Sequence, residues 1–311
     1  MAGRAVAFAY HDVGARCLGV LLELGVCVPL VVTHRDDPGE HVWFASVMRL
    51  AQRRGIETIS PDDPNAAEAV ARVRSIAPDF LFSFYYRTML SRRLLDCARR
   101  GAYNMHGSLL PKYRGRAPIN WAVLNGETET GATLHEMTEK PDAGPIVDQA
   151  RVPIGPDDLA LDVLRKVTDA AETIMRRSLP RLVAGTAVLR PQDLSRGSYF
   201  GRRTPEDGRI DWNRGTNEIH NLVRAVAPPY PGAFTDLRQG RLLIHRTRRL
   251  GRAVSAPVPS LVAAPAALRV TAVCADGEAL ELVELVFEGA PLSAEGFVSR
   301  FGVDPIALPR A

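Results

Sequence analysis

Short apolar runs alternate with amphipathic stretches through the first half of the chain. Residues 5–10 (AVAFAY) and 27–33 (CVPLVVT) predict buried strands, with a helix over about 13–24 between them. In residues 41–53, Phe44, Val47, Met48 and Ala51 recur at i, i+3, i+4 and i+7, one face of a helix. A strand over 57–60, a helix over 66–76, a strand over 80–84, a helix over 90–98 and a fifth strand over 102–106 follow. Short strands separated by helices imply parallel pairing through crossover helices. No GxGxxG follows the first strand, which removes the main reason to expect a dinucleotide cofactor.

The second half reads differently. Residues 157–183 are helical in pattern and interrupted at Pro180, and residues 185–208 are rich in Arg, Pro, Gly and Ser. A helix over 217–227 is ended by Pro228 and Pro229. Strand-like segments then follow at 233–237, 241–245, 268–274 and 279–287 without helices between them, the pattern of a small barrel or open barrel. The fold class expected is α/β: an open, mostly parallel, Rossmann-like sheet with helices on both faces, plus a smaller C-terminal barrel-like domain. The boundaries expected are 1–187 for the first domain, 188–208 for a linker and 209–311 for the second.

Composition narrows the class. The 311 residues (33.9 kDa) are 46% hydrophobic and 24% charged, enough apolar matter for a sizeable core. No apolar run reaches the roughly 18 residues of a membrane-spanning helix. Arg4 and Asp12 leave no room for a signal-peptide core. Cys17, Cys27, Cys97 and Cys274 are scattered, without a CxxC, and read as small buried hydrophobes in a reducing compartment. A cytoplasmic protein without membrane insertion is expected.

The formal charge of +4 is carried almost wholly by arginine, since only Lys112, Lys140 and Lys166 are lysines. Between Arg202 and Arg252 stand 11 arginines against 5 acids. Such a stretch suits a nucleotide diphosphate, RNA, or simply a solvated face. No His/Cys/Asp cluster has metal-ligand spacing, so no metal is expected.

The candidate chemistry gathers at the fifth strand. Asn104 and His106 lie two apart, so amide and imidazole share one face of that strand. The segment after it, 107–118 (GSLLPKYRGRAP), is a loop at the carboxyl end of a strand, where open α/β sheets bind ligands. Pro118 suits the first turn of a helix through Leu124. Asp142 stands in a Pro- and Gly-flanked turn, 140–146 (KPDAGPI), able to aim a carboxylate inward. A paired carboxylate orients an imidazole and favours its charged form, and an Asn amide can donate to an oxyanion. The three suit acyl transfer to an amine without a covalent enzyme intermediate. Spacing alone equally fits a satisfied structural His–Asn pair. His34, His41, His135, His220 and His245 read as polar residues satisfied locally; His11 and Asp12 follow the first strand and receive no role.

These residues carry a resemblance. Asn104 to His106, 108–115 (SLLPKYRG) and Asp142 to Gly144, continued by 117–121 (APINW) and 125–131 (NGETETG), are similar to the signature of 10-formyltetrahydrofolate-dependent formyltransferases. The likeness runs on through Asp211 and Trp212, 223–225 and 231–233. Within that family, 8–12 (FAYHD), Thr33 and His34, 37–40 (DPGE), 82–87 (FSFYYR) and 200–205 (FGRRTP) resemble the formyltransferase domains of bifunctional polymyxin-resistance proteins. Those domains formylate UDP-4-amino-4-deoxy-L-arabinose for lipid A modification. Residues 227–230 (APPY) depart from the Asp-Pro-Trp expected before Pro-Gly-Ala.

The resemblance implies catalytic roles for Asn104, His106 and Asp142. It implies a site for N10-formyltetrahydrofolate, the formyl donor, at Thr88, Met89, Leu90, Arg116 and the turn Thr138, Glu139, Lys140, Pro141 and Asp142. Ordinary helix packing is the plain alternative for Met89 and Leu90, and a solvated loop position for Arg116. For a sugar-nucleotide diphosphate the cations proposed are Arg202, Arg203 and Arg224. The leading acceptor is a nucleotide-linked amino sugar. The alternatives are initiator methionyl-tRNA, another amino sugar, and a non-catalytic folate- or nucleotide-binding module. A homo-oligomer or a separate decarboxylase partner is compatible with the chain.

Overall fold

The computed structural model describes residues 3–35, 42–252, 259–264, 266 and 268–308. The string at 37–40 and His41 lie outside the described residues. The first half of the chain runs β1 (Arg4–Ala9), α1 (His11–Glu23), β2 (Cys27–Val32), α2 (Val47–Arg53), β3 (Glu57–Ile59), α3 (Ala67–Ile76), β4 (Phe80–Phe84), α4 (Arg92–Leu95) and β5 (Gly101–His106). Then come β6 (Arg114–Gly115), α5 (Pro118–Leu124), β7 (Glu129–Glu136), β8 (Ile146–Pro153), α6 (Ala160–Ala184) and β9 (Tyr199–Phe200). The remainder is α7 (Thr216–Val226), β10 (Ala233–Leu237), β11 (Gly240–Arg252), β12 (Ser260–Ala264), β13 (Arg269–Val273), β14 (Glu278–Phe287), β15 (Ala290–Pro291), α8 (Ala294–Phe301) and β16 (Ile306–Ala307).

Packing divides these elements into two units. One comprises Met1–Pro118, Glu129–Pro153 and Leu164–Gly201; the other comprises Ile119–Thr128, Ile154–Val163 and Arg202–Ala311. In the first, a seven-stranded sheet has the order β3-β2-β1-β4-β5-β7-β8. β3, β2, β1, β4 and β5 pair in parallel, whereas β7 pairs antiparallel with both β5 and β8. The α/β expectation therefore holds, and the two antiparallel strands are an addition that the apolar periodicity did not reveal.

Alternation explains the layering. Val6, Phe8, Leu30, Val32 and Leu81 form one cluster with Val70, Val73 and Ile76 of α3 and with Leu94 and Leu95 of α4. The intervening strand positions Ala5, Ala7, Ala9, Val31, Phe80, Phe82 and Phe84 are buried as well, as are Cys17, Leu18 and Leu21 of α1. Strands with both faces buried need helices on both sides of the sheet.

Several boundaries differ from the sequence pattern for local reasons. α2 begins at Val47 because the Ser46 hydroxyl caps the Arg49 N–H, and Phe44 instead stacks on His11 at 4.1 Å between ring centroids. The helix expected over 90–98 contracts to α4. α6 continues through Pro180, forgoing one backbone hydrogen bond rather than stopping there. Cys27 is exposed at the start of β2, against the expectation that all four cysteines are buried; none is paired.

The second unit contains an antiparallel sheet ordered β10-β11-β14-β13-β12-β16, with β15 on β14. The long β11–β14 pairing carries register shifts, which bend and coil a sheet into the open-barrel form. Trp212 is wholly buried there and donates from Nε1 to the Thr235 hydroxyl at 3.0 Å. His220 of α7, also buried, places Nδ1 2.8 Å from the Thr247 hydroxyl and donates from Nε2 to the Pro156 carbonyl at 3.1 Å. Among the described residues, no helix is long and apolar enough to cross a membrane.

Leu81 lies in the central β4, fully enclosed. Leu81→Ala is expected to cost the first unit about 2–5 kcal/mol, visible as a lowered denaturant midpoint for its unfolding transition.

Candidate active site

The geometry begins with the pleat. Asn104 and His106 leave the same face of β5, and β7 runs antiparallel beside them, with His135 directly opposite Asn104. Beyond β7, the Met137 N–H donates to the Ala102 carbonyl at 2.7 Å, and the chain turns through 138–145. Asp142 occupies that turn in the left-handed region, φ 51°, a conformation that aspartate tolerates better than most residues. The turn returns its carboxylate to the two histidines.

Asp142 Oδ1 lies 3.5 Å from His106 Nδ1 and 3.4 Å from His135 Nε2. Its Oδ2 accepts the Gly115 N–H at 2.8 Å. Burial works against the charge on this carboxylate, but the polar groups around it, His106 foremost, outweigh it and hold the carboxyl well below the usual carboxylate range. His106 Nε2 is 2.8 Å from the Tyr113 carbonyl. A carbonyl can only accept, so Nε2 carries a hydrogen and Nδ1 is the position that faces Asp142. Asn104 Nδ2 is 3.2 Å from His135 Nε2.

The three candidate catalytic residues are thus brought together, with His135 as a fourth member of the cluster. It is satisfied locally at Nδ1, by the Glu136 carbonyl, and through Nε2 it also touches both Asn104 and Asp142. The available signal was its place in the apolar alternation leading to Asp142, but the antiparallel pairing that puts it opposite Asn104 is a tertiary fact.

The loop 107–117 is held from both sides. Thr133 donates its hydroxyl hydrogen to the Ser108 carbonyl at 2.6 Å and accepts from Gln149 Nε2 at 2.9 Å. On the other side, β6 pairs with β9, the Arg114 and Arg116 N–H groups each donating at 3.0 Å, to the Ser198 and Phe200 carbonyls. The Tyr113 ring stacks on Phe200 at 5.1 Å. Gln192 Nε2 donates to the Asp142 carbonyl at 3.0 Å and the Gly144 carbonyl at 2.6 Å. Residues 190–200, within the stretch expected as linker, therefore brace the turn that carries Asp142.

The positions implied for a folate sit as follows. Leu90 is buried in the cluster of Leu94 and Leu95, whereas Met89 is 51% exposed. Asn65 pins this stretch, donating to the Met89 carbonyl at 3.0 Å and accepting the Ser91 N–H at 2.7 Å. Arg116 donates to the Arg87 carbonyl at 3.1 Å, which brings it against the same loop as Thr88. Thr138, Glu139 and Lys140 are exposed, Pro141 is half-buried, and the Thr138 hydroxyl donates to the Lys140 carbonyl at 3.1 Å.

The three arginines proposed for a diphosphate lie in the second unit and differ among themselves. Arg202 is exposed. Arg203 stacks over Trp121 at 4.7 Å and donates to the Asp207 carbonyl at 2.9 Å. Arg224 is buried, its Nε bonded to Asn221 Oδ1 at 2.9 Å and its Nη1 3.3 Å from the Gly155 and Asp158 carbonyls. Arg224 thus already has oxygen neighbours at Nε and Nη1, whereas Arg202 stands exposed.

A buried charge shared by two imidazoles, beside an amide on the same strand face, can move a proton and stabilise an oxyanion. Comparison with known proteins agrees with an acyl-transfer site. The formyl transferase family model matches residues 23–179, and the model of the formyl transferase C-terminal domain matches residues 202–302. Among solved structures, the chain is similar to the N-formyltransferase from Helicobacter canadensis, solved in complex with folinic acid and dTDP-3-aminofucose. That match has 21% identity and a TM-score of 0.72, covering 91% of this chain and 99% of that one. A 4-N formyltransferase from Francisella tularensis matches at 18% identity and TM-score 0.63, over 77% and 94%. HypX from Aquifex aeolicus matches at 18% and 0.66, over 97% of this chain and 48% of HypX.

Two outcomes follow from the geometry. A methyl added at Gly144 would run into the Glu136 carbonyl, the acceptor of His135 Nδ1, so Gly144→Ala is expected to lower turnover on the order of 10²-fold. Gly19→Ala in α1 meets nothing and serves as the neutral control. Because Asp142 ionises below its unfolded value of ~3.9, its stabilising contribution is present above that pH and fades as pH falls through the depressed folded value. Thermal melts of wild type and Asp142→Asn are expected to differ at neutral pH and to converge from about pH 4 downward.

The shared carboxylate between β5 and β7, the loop built on both sides of it, and the match across both halves of the chain lead to one assignment: this chain belongs to the formyl transferase family.

Proposed function

We propose that the protein transfers the formyl group of N10-formyltetrahydrofolate to the amino group of a nucleotide-linked amino sugar in the cytoplasm. The observation that carries this reading is the buried cluster of Asn104, His106 and Asp142, joined by His135, in a formyl transferase fold. The complex of the Helicobacter canadensis N-formyltransferase with folinic acid and dTDP-3-aminofucose supports the substrate class. The acceptor we favour is UDP-4-amino-4-deoxy-L-arabinose, on the strength of the strings at 8–12, 82–87 and 200–205. That choice places the protein in lipid A modification and polymyxin resistance.

The chemistry asks three things of the chain. When the neutral amine adds to the formyl carbon, negative charge grows on the formyl oxygen, and an Asn104 N–H donates to it. The amine must lose a proton and N10 of the leaving folate must gain one; His106 carries it through Nδ1, since its Nε2–H is committed to the Tyr113 carbonyl. Asp142 holds the imidazole in that orientation. No covalent enzyme intermediate is needed. For the donor, residues 88–90, Arg116 and the turn 138–142 supply apolar and hydrogen-bonding groups suited to a flat pterin.

The arginine-rich stretch does not favour an RNA acceptor. Arg209 and Arg241 pair with Asp236, Arg214 with Asp211 and Glu218, Arg246 with Glu284, and Arg248 with Glu281. Glu281 and Glu284 come from outside that stretch, and over its whole unit, Ile119–Thr128, Ile154–Val163 and Arg202–Ala311, 14 arginines stand against 16 acids.

The test is release of tetrahydrofolate from 10-formyltetrahydrofolate in the presence of UDP-4-amino-4-deoxy-L-arabinose, dTDP-3-aminofucose or initiator methionyl-tRNA. Turnover is expected with the UDP sugar, lost in His106→Ala and reduced about 10²–10³-fold in Asn104→Ala. Turnover with the dTDP sugar alone would move the assignment to another amino sugar. Turnover with tRNA alone would refute the sugar reading.

A further inference from the structure

His135 is assigned no role by the family signature or by the mechanism above, yet both of its ring nitrogens have polar partners. It is 2% exposed. Its Nδ1 lies 2.8 Å from the carbonyl of the next residue, Glu136, which can only accept, so Nδ1 bears a hydrogen. A neutral imidazole in that tautomer presents a bare lone pair at Nε2. Two groups stand before the lone pair: Asn104 Nδ2 at 3.2 Å and Asp142 Oδ1 at 3.4 Å.

Only one of the two can satisfy it. An amide N–H donates to a lone pair, whereas a carboxylate oxygen repels it. The carboxylate has its own donors, the Gly115 N–H on Oδ2 and, when the His106 ring is doubly protonated, His106 Nδ1–H at Oδ1. The bonding pattern that leaves no polar atom opposed is therefore Asn104 Nδ2–H to His135 Nε2, and His135 Nδ1–H to Glu136 O. Its consequence falls on Asn104. Turning that amide over would set Oδ1 against the Nε2 lone pair with Asp142 beside it, three acceptors converging in a buried place. The amide is held with its NH₂ end toward His135, and the second N–H of that group keeps a defined direction.

We propose that His135 is a positioning residue, which locks the Asn104 amide so that an N–H, and not the carbonyl oxygen, is offered to the developing oxyanion. This rests on the reading of Asn104 as oxyanion donor. Asparagine needs such a lock because its two ends have similar shape and opposite polarity. A free amide would spend part of its time with oxygen turned to the substrate oxygen, and that fraction would be unproductive.

The test pairs kinetics with a measurement that needs no acceptor. His135→Leu, with its thermal melt compared to wild type, is expected to lower kcat about 10-fold, the effect of one neutral hydrogen bond, while KM for the formyl donor stays within twofold. His135→Gln, whose side-chain oxygen can accept from Asn104, is expected to recover most of the loss. In an Asn104→Ala background, His135→Leu is expected to add less than about twofold, because the lock has nothing left to hold. Unchanged kcat in His135→Leu, or an undiminished effect in the Asn104→Ala background, would overturn the proposal.

Independently, ¹⁵N-histidine spectra of the full chain are expected to show His135 protonated at Nδ1 and bare at Nε2, with the Nε2 resonance moving in Asn104→Ala. A protonated Nε2 in the wild type, or a resonance indifferent to Asn104, would overturn the proposal without any turnover assay. If no acceptor is formylated, the function reading fails on that result, while the spectra still decide the role of His135.

Discussion

A carboxylate placed out of water must be compensated by donors that the fold itself supplies, and Asp142 is such a group. Burial alone would cost an isolated charge several kcal/mol. The compensation comes from two different segments, His106 at the end of β5 and the Gly115 N–H in the loop between β5 and α5, while His135 on β7 closes the cluster against Asn104. None of these can move far without leaving the charge exposed to an apolar interior. The turn that presents the carboxylate is itself tied from outside by Gln192. The requirement to keep one charge satisfied therefore fixes the end of β5, the pairing of β7 and the path of residues 190–200 at once.

The same requirement explains why the loop after β5 is so heavily bonded. Its Tyr113 carbonyl receives His106 Nε2, its Gly115 N–H reaches Asp142, and its strand-like part, β6, is paired with β9. Tyr113 stands at φ 58° and Asp142 at φ 51°. Non-glycine residues in that region cost about 1–3 kcal/mol each and persist only where the surroundings over-determine them. Here the surroundings are the hydrogen bonds of the cluster itself. Preorganisation of this kind leaves little rearrangement for the moment at which charge develops on a substrate oxygen.

Charge is handled differently in the second unit. Its arginines are numerous, but they lie along strands whose neighbours carry acids at matching registers, as with Arg248 facing Glu281 across β11 and β14. Exposed pairs of this sort contribute little stability each. Their effect is to remove a field that composition alone would predict. Arg224 shows the extreme case, with its guanidinium turned inward onto main-chain carbonyls.

Where chemistry is local, the chain could be read directly. Apolar periodicity placed β1 to β5 and the helices between them, because side-chain alternation and helical spacing are properties of neighbouring residues. The i, i+2 relation put Asn104 and His106 on one face, and Pro141 and Gly144 marked the turn that aims Asp142. Pairing between distant strands is not a local property. The antiparallel β7, the opposition of His135 to Asn104, and the docking of residues 198–200 on β6 depend on which backbone edges meet after collapse. So does the sharing of the Asp142 carboxylate between two rings. The sequence by itself determined which residues could do acyl-transfer chemistry; only the tertiary structure decided which of their polar atoms face one another, because hydrogen-bond direction is set by the packing of segments far apart in the chain.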